Sequence, residues 1–101
     1  MSAPTKVTHD SAVVEMLKAD PDFASEYLQA ALEEAQEPGG YGALLMALRH
    51  ISEAKGMSDV ATRAGIPRES LYRALSPKGN PTAKTLFAVL KGMDLQLAVA
   101  R

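Results

Sequence analysis

Residues Met57–Ser76, MSDVATRAGIPRESLYRALS, decide how the rest of the chain is read. The stretch predicts two short helices joined by a tight turn. Ser58 is placed to cap the first, its hydroxyl accepting from a free backbone N–H of the opening turn. Val60, Ala61 and Ala64 fall on one helical face. Gly65 stands where a chain leaving a helix often needs positive φ, which glycine reaches without steric cost. Pro67 suits the start of the next helix, where a missing N–H costs no intrahelical bond. Leu71, Ala74 and Leu75 form an apolar stripe and leave Arg68, Glu69, Tyr72 and Arg73 pointing elsewhere. Two helices that cross steeply need a small residue at their contact. Ala61 supplies it, and Ile66 and Leu71 fill the angle from the far side.

Upstream, Gly56 ends a helix expected from Tyr41 to Lys55, in which Leu44, Leu45, Leu48 and Ile51 recur at helical spacing and Ala47 and Ala54 allow close approach. Glu37-Pro38-Gly39-Gly40 separates it from a preceding helix that runs to about Gln36, with Phe23, Tyr27, Leu28, Ala31, Leu32 and Ala35 on its apolar face. Asp20-Pro21-Asp22 is a stop and restart, with Pro21 suited to the first helical position. A short helix capped by Asp10 or Ser11 reaches Ala19, and residues 1–9 read as an arm or frayed end. Downstream, Ser76–Pro81 is a loop. Asn80 is placed to cap the next helix and Pro81 to open it. Leu86, Phe87, Val89, Leu90 and Met93 are its expected core face, to about Gly92. From Asp94 the residues alternate, and Leu95, Leu97 and Val99 point one way, as in a short strand. A lone strand needs a partner. The same strand of a second copy, antiparallel across a two-fold axis, is the simplest one; a fraying helical end is the other reading.

At 101 residues the chain fits one domain, and an apolar share of 47% sets it apart from disordered sequences. Residues 1–40 are an acidic arm and helices packed on the core, with two basic against eight acidic residues, a net of −6. Residues 41–101 carry nine basic against four acidic residues, a net of +5. An acidic front and a basic back hint at nucleic-acid contact by one half; merely solvated charge in both halves is the alternative. With no cysteine there is no disulfide framework or thiolate metal site. His9 and His50 are far apart, the front-half carboxylates fall on wet helix faces, and the glycines make no phosphate cradle after a strand. No enzyme, metal or cofactor is expected. With no signal peptide and no bilayer-spanning run, a cytoplasmic protein without membrane contact is expected.

The Ala61, Gly65 and Leu71 spacing resembles the helix-turn-helix (57–76) of the lambda repressor and Cro family. The wider pattern is similar to antidote (antitoxin) proteins of bacterial toxin–antitoxin addiction modules. That resemblance is carried by EYLQAALEEA (Glu26–Ala35), LLMALRHISEAKGMSDVATRAGIPRESLYRALS (Leu44–Ser76) and GNPTAKTLFAVLKGMDLQL (Gly79–Leu97). It implies a mainly α, five-to-six-helix lambda-repressor-like domain with an N-terminal helical extension and a short C-terminal β-strand. It also implies a type II antitoxin that neutralises a small basic RelE/ParE-like toxin encoded beside it and represses the shared operon. The acidic front would face that toxin, since charge complementarity speeds encounter.

In this resemblance the start of the second helix reads base edges. Arg68 and Arg73 are the candidates for guanine, at roughly 1–3 kcal/mol of discrimination each. Glu69 is placed to accept from cytosine or, slightly preferred, to pair with Arg73. Tyr72 is placed to touch a thymine methyl or a phosphate, or to close the helix packing. Thr62, Ser70, Lys78, Asn80, Thr82 and Lys84 are phosphate candidates, with solvated or capping roles as the alternative. Where the family usually has serine or threonine, Pro67 offers no capping hydroxyl. The implied partners are palindromic operator DNA, the toxin and a second copy paired through Leu95, Leu97 and Val99. The alternatives are a stand-alone phage-type repressor of the Cro/C1 kind without a toxin, and a protein-interaction module with a vestigial helix-turn-helix.

Overall fold

The computed structural model describes residues 9–99. The expected arm therefore lies outside the described residues except for His9, as do Ala100 and Arg101 of the expected strand. Six helices form among the described residues: α1 His9–Ala19, α2 Phe23–Ala35, α3 Tyr41–Lys55, α4 Met57–Ala64, α5 Arg68–Ala74 and α6 Ala83–Gly92. The mainly helical expectation holds. No helix is long and apolar enough to cross a membrane.

The core is built around α3 and α4. Leu45, Ala47, Leu48 and Ile51 of α3 are almost fully buried, as the helical period requires. Val13 and Leu17 of α1 and Ala24, Leu28 and Ala31 of α2 close over α3. Val60 and Ala61 of α4 sit against α6, whose Val89 and Leu90, with Met93 just past its end, complete the core. The α4–α6 approach is set by Gly92, where a Cβ would stand 2.7 Å from the Val60 carbonyl oxygen. Ala61 is buried as expected, and Gly92 is a second small residue at an α4 crossing.

Four helix starts differ from expectation. α1 already includes His9, so Asp10 and Ser11 stand inside its first turn and not at its cap. Gly56, at φ 102, is the N-cap of α4, and Met57 is already helical and buried, so Ser58 lies exposed within the first turn and caps nothing. The gain from burying Met57 fixes the start two residues earlier than the hydroxyl would. Pro21 precedes α2 by two residues; its carbonyl and that of Asp20 accept from Ala24 and Phe23. Thr82, not Asn80, caps α6, its Oγ1 accepting from the Thr85 N–H at 3.1 Å. Pro81 therefore precedes that helix and does not open it.

Two helix ends among the described residues are Schellman caps. At the end of α4, Gly65 adopts φ 73; its N–H reaches the Thr62 carbonyl and the Ile66 N–H reaches that of Ala61. At the end of α6 the same pair of bonds runs from Asp94 to Lys91 and from Leu95 to Leu90, with Asp94 at φ 60. This second cap bears on the expected strand. No strand forms among the described residues, because the Leu95 N–H is already bonded to the end of α6 and no neighbouring segment offers a ladder. Leu95 packs half-buried on the core, while Leu97 and Val99 are exposed. Phe87, expected in the core, is 59% exposed. The stripe runs through Leu86, Val89, Leu90 and Met93, and Phe87 is out of phase with it.

His50, beside the stripe of α3, is 1% exposed and ties three helices together. Its Nε2 lies 2.8 Å from Asp10 Oδ1 of α1 and its Nδ1 lies 2.7 Å from the Tyr27 hydroxyl of α2. With Asp10 ionised, Nε2–H donates to the carboxylate and Nδ1 accepts the phenol proton. No buried side-chain nitrogen or oxygen among the described residues lacks a partner.

Candidate nucleic-acid interface

The chain leaves α4 through Gly65 and enters α5 at Pro67, which holds φ −61 and ψ 147 as the N-cap. No side chain caps α5, as the proline implies. The helix is seven residues long and is held from below. Leu71 and, just past its end, Leu75 are fully buried, and Arg49 Nη1 donates to the Leu75 carbonyl at 2.8 Å. This anchor had no sequence signal, since its acceptor is a backbone atom 26 residues away.

Arg68, Glu69, Tyr72 and Arg73 share the opposite arc and are all exposed. The expected Glu69–Arg73 ion pair does not form. Arg68 instead pairs with Tyr72: Nη2 lies 3.3 Å from the phenol oxygen, and the guanidinium carbon 5.3 Å from the ring centroid. A flat ring with an acceptor at its edge orients a guanidinium by two contacts at once. An exposed carboxylate offers about 0.3–0.5 kcal/mol, too little to immobilise two long side chains. Glu69 and Arg73 thus keep their polar ends in water, and Tyr72 lies on the outer face, 40% exposed, not in the packing.

Of the phosphate candidates, Ser70, Lys78, Asn80 and Thr82 come together with Arg73 around a cleft of about 510 Å³ between α5 and the start of α6. Ser76 and Thr85 line the same cleft and were missed; the threonine three residues after Thr82 was the available signal. Thr82 is engaged there as a cap, its hydroxyl also 3.1 Å from that of Thr85. Thr62 on α4 and Lys84 on the first turn of α6 are exposed outside the cleft. The arrangement places two arginines and a tyrosine on a convex face beside a cleft holding a lysine, an amide and hydroxyls. Such a surface can donate hydrogen bonds to anionic oxygens and base edges. No cluster of three or more potential metal ligands occurs among the described residues.

Compared with known proteins, residues 8–101 match a family model described as "Probable addiction module antidote protein". An uncharacterized protein of Haemophilus influenzae is 42% identical over 76 residues, covering 75% of this chain and 78% of that protein. No solved structure matches.

Proposed function

The chain belongs to the family described as "Probable addiction module antidote protein", and from that premise we propose that it is an antitoxin that binds its toxin directly and represses its own operon. In this reading the toxin is a small basic protein of the RelE/ParE-like class, and both partners meet in the cytoplasm. DNA is read by α4 and α5 acting as a helix-turn-helix.

One observation carries the DNA half of the reading: α5 buries only Leu71 and turns Arg68, Glu69, Tyr72 and Arg73 to solvent at the end of a glycine-capped turn. Arg68 and Arg73 take guanine edges, the former oriented by Tyr72, and Glu69 is free for a cytosine amino group. Ser70, Lys78 and Asn80 hold a phosphate and set the register of the helix, with Thr62, Thr82 and Lys84 further along the backbone track. One seven-residue helix reads few base pairs. A two-fold pair of chains therefore sets two α5 helices about 34–36 Å apart on a palindrome. The exposed Phe87 supports pairing there, because a two-fold axis sets such an apolar side chain against its own copy.

The test is a gel shift on the DNA upstream of the gene, run at several salt concentrations. Arg68→Ala and Arg73→Ala are each expected to weaken binding by about 1–3 kcal/mol and to relax preference at one base pair. Unchanged binding in both variants would remove the assignment of α5. Toxin neutralisation is tested by co-expression with the product of the adjacent reading frame, where rescue of growth is expected and continued arrest counts against the reading.

A further inference from the structure

We propose that the cleft between α2 and the segment following α6 is where the toxin docks, through a basic amphipathic segment, and that this leaves α5 free to hold DNA. The proposal rests on the antitoxin reading and names the surface that reading leaves open.

After the Schellman cap at Asp94, the chain runs beside α2. Leu95 and Leu97 stand across from Leu28 and Leu32 and bound a cleft of about 490 Å³, with Glu33 and Gln36 at its rim. Leu28 is buried, Leu32 and Leu95 are half-buried, and Leu97 is 47% exposed, so the cleft has an apolar floor open to solvent. The cap fixes one wall, because the Leu95 N–H is bonded to the Leu90 carbonyl at 2.9 Å.

Glu33 lines the cleft, and the helix that forms one of its walls sits in an acidic stretch, which selects the occupant. Residues 20–37 contain Asp20, Asp22, Glu26, Glu33, Glu34 and Glu37 and no lysine or arginine. The ion pairs among the described residues are Lys18–Glu15 and Arg63–Asp94, and His50 bonds Asp10, so none of these six carboxylates is compensated. Nucleic acid is repelled by such a surface. A second copy docking across a two-fold axis would set one acidic α2 against another, which costs rather than gains. A protein segment carrying lysine or arginine around apolar anchors satisfies both the floor and the rim.

The placement also separates the two activities. α2 packs on α3 and α1, whereas α5 packs on α4. On this proposal a toxin seated over α2 engages a helix other than the one carrying Arg68 and Arg73, and the toxin-bound chain is expected to keep its DNA-reading face.

The probe is the protein encoded by the reading frame beside the gene, titrated onto the full chain. Glu33→Lys combined with Gln36→Lys changes only exposed side chains. It is expected to weaken binding about tenfold or more at low salt, the gap closing as salt rises. Leu97→Asp is expected to speed dissociation by a similar factor. Amide exchange on the unmodified complex supplies a readout independent of any variant, with slowing expected in α2 and at residues 95–98. The toxin is expected to supershift the chain bound to its upstream DNA. If the unmodified chain holds the toxin but the variants hold it equally, or protection appears elsewhere, the cleft assignment is overturned and the antitoxin reading stands. If the unmodified chain does not hold that product at all, the antitoxin reading fails and takes the proposal with it.

Discussion

His50 joins α1, α2 and α3 through two hydrogen bonds while remaining almost fully buried, and its neighbour Tyr27 carries the electrostatic consequence. Burial raises the Tyr27 pKa above its ordinary 10.0, the Asp10 carboxylate raises it further, and Arg49 opposes them. The folded chain thus holds the phenol proton more tightly than the unfolded chain does. The stabilisation from this group is complete below pH 10 and is lost as pH rises through the higher folded value. Urea midpoints are expected to fall above that pH, and Tyr27→Phe is expected to flatten this alkaline decline. At neutral pH the same variant leaves His50 Nδ1 without its donor and costs about 1 kcal/mol or somewhat more. The place of His50 beside the apolar stripe was legible in the sequence. Its partners were not, since they lie 23 and 40 residues away on helices whose mutual rotation no local pattern encodes.

At the scale of the element, α4 and α6 end in the same cap built on different residues. Gly65 adopts its φ of 73 freely, while Asp94 holds φ 60 as an L-residue. A β-branched side chain is poorly tolerated at either position, so Gly65→Val and Asp94→Val are each expected to lower stability by about 1–2 kcal/mol in denaturant titration. Asp94→Gly relieves the backbone and gives up only the exposed 3.3 Å pair with Arg63, so its midpoint is expected to stay level or rise. Gly92→Ala drives a methyl toward the Val60 carbonyl and is expected to cost about 1–3 kcal/mol by prying α6 from α4. The bounds of α3 were readable because Pro38-Gly39-Gly40 and Gly56 bracket a clean helical period. The alternation of Leu95, Leu97 and Val99 misled for a definable reason: period two describes side chains, whereas the end of α6 had already taken the backbone donor of Leu95. At the candidate interface, periodicity separated the outer arc of α5 from Leu71. It could not choose between Glu69–Arg73 and Arg68–Tyr72, which share the same spacing.

Across the whole molecule, charge and packing divide in the same place. The acidic stretch lies in α2 and its flanks, and the exposed arginines of α5 lie beyond α4. For the proposed pairing of two chains, Phe87→Glu sets like charges across the axis. It is expected to shift sedimentation toward the monomer and to weaken operator binding more than it weakens the fold, since Phe87 is 59% exposed. A dimer that survives the change would move the interface elsewhere. The junction between α3 and α4 has a further consequence. A single residue, Gly56, separates the last residue of one helix from the first of the next: its N–H donates to the Glu53 carbonyl of α3 and its carbonyl accepts from the Val60 N–H of α4, so both helices end on it. On the proposed reading, a toxin on α2 and a duplex on α5 would be held at a distance and angle set by that one-residue joint, like jaws on one casting. Chain length between Leu44 and Leu75 is then a stricter constraint on descent than the identity of the exposed residues between them. Insertions belong at the Pro38-Gly39 turn or in the Ser76–Pro81 loop, where added residues leave the helical phase of the two jaws untouched.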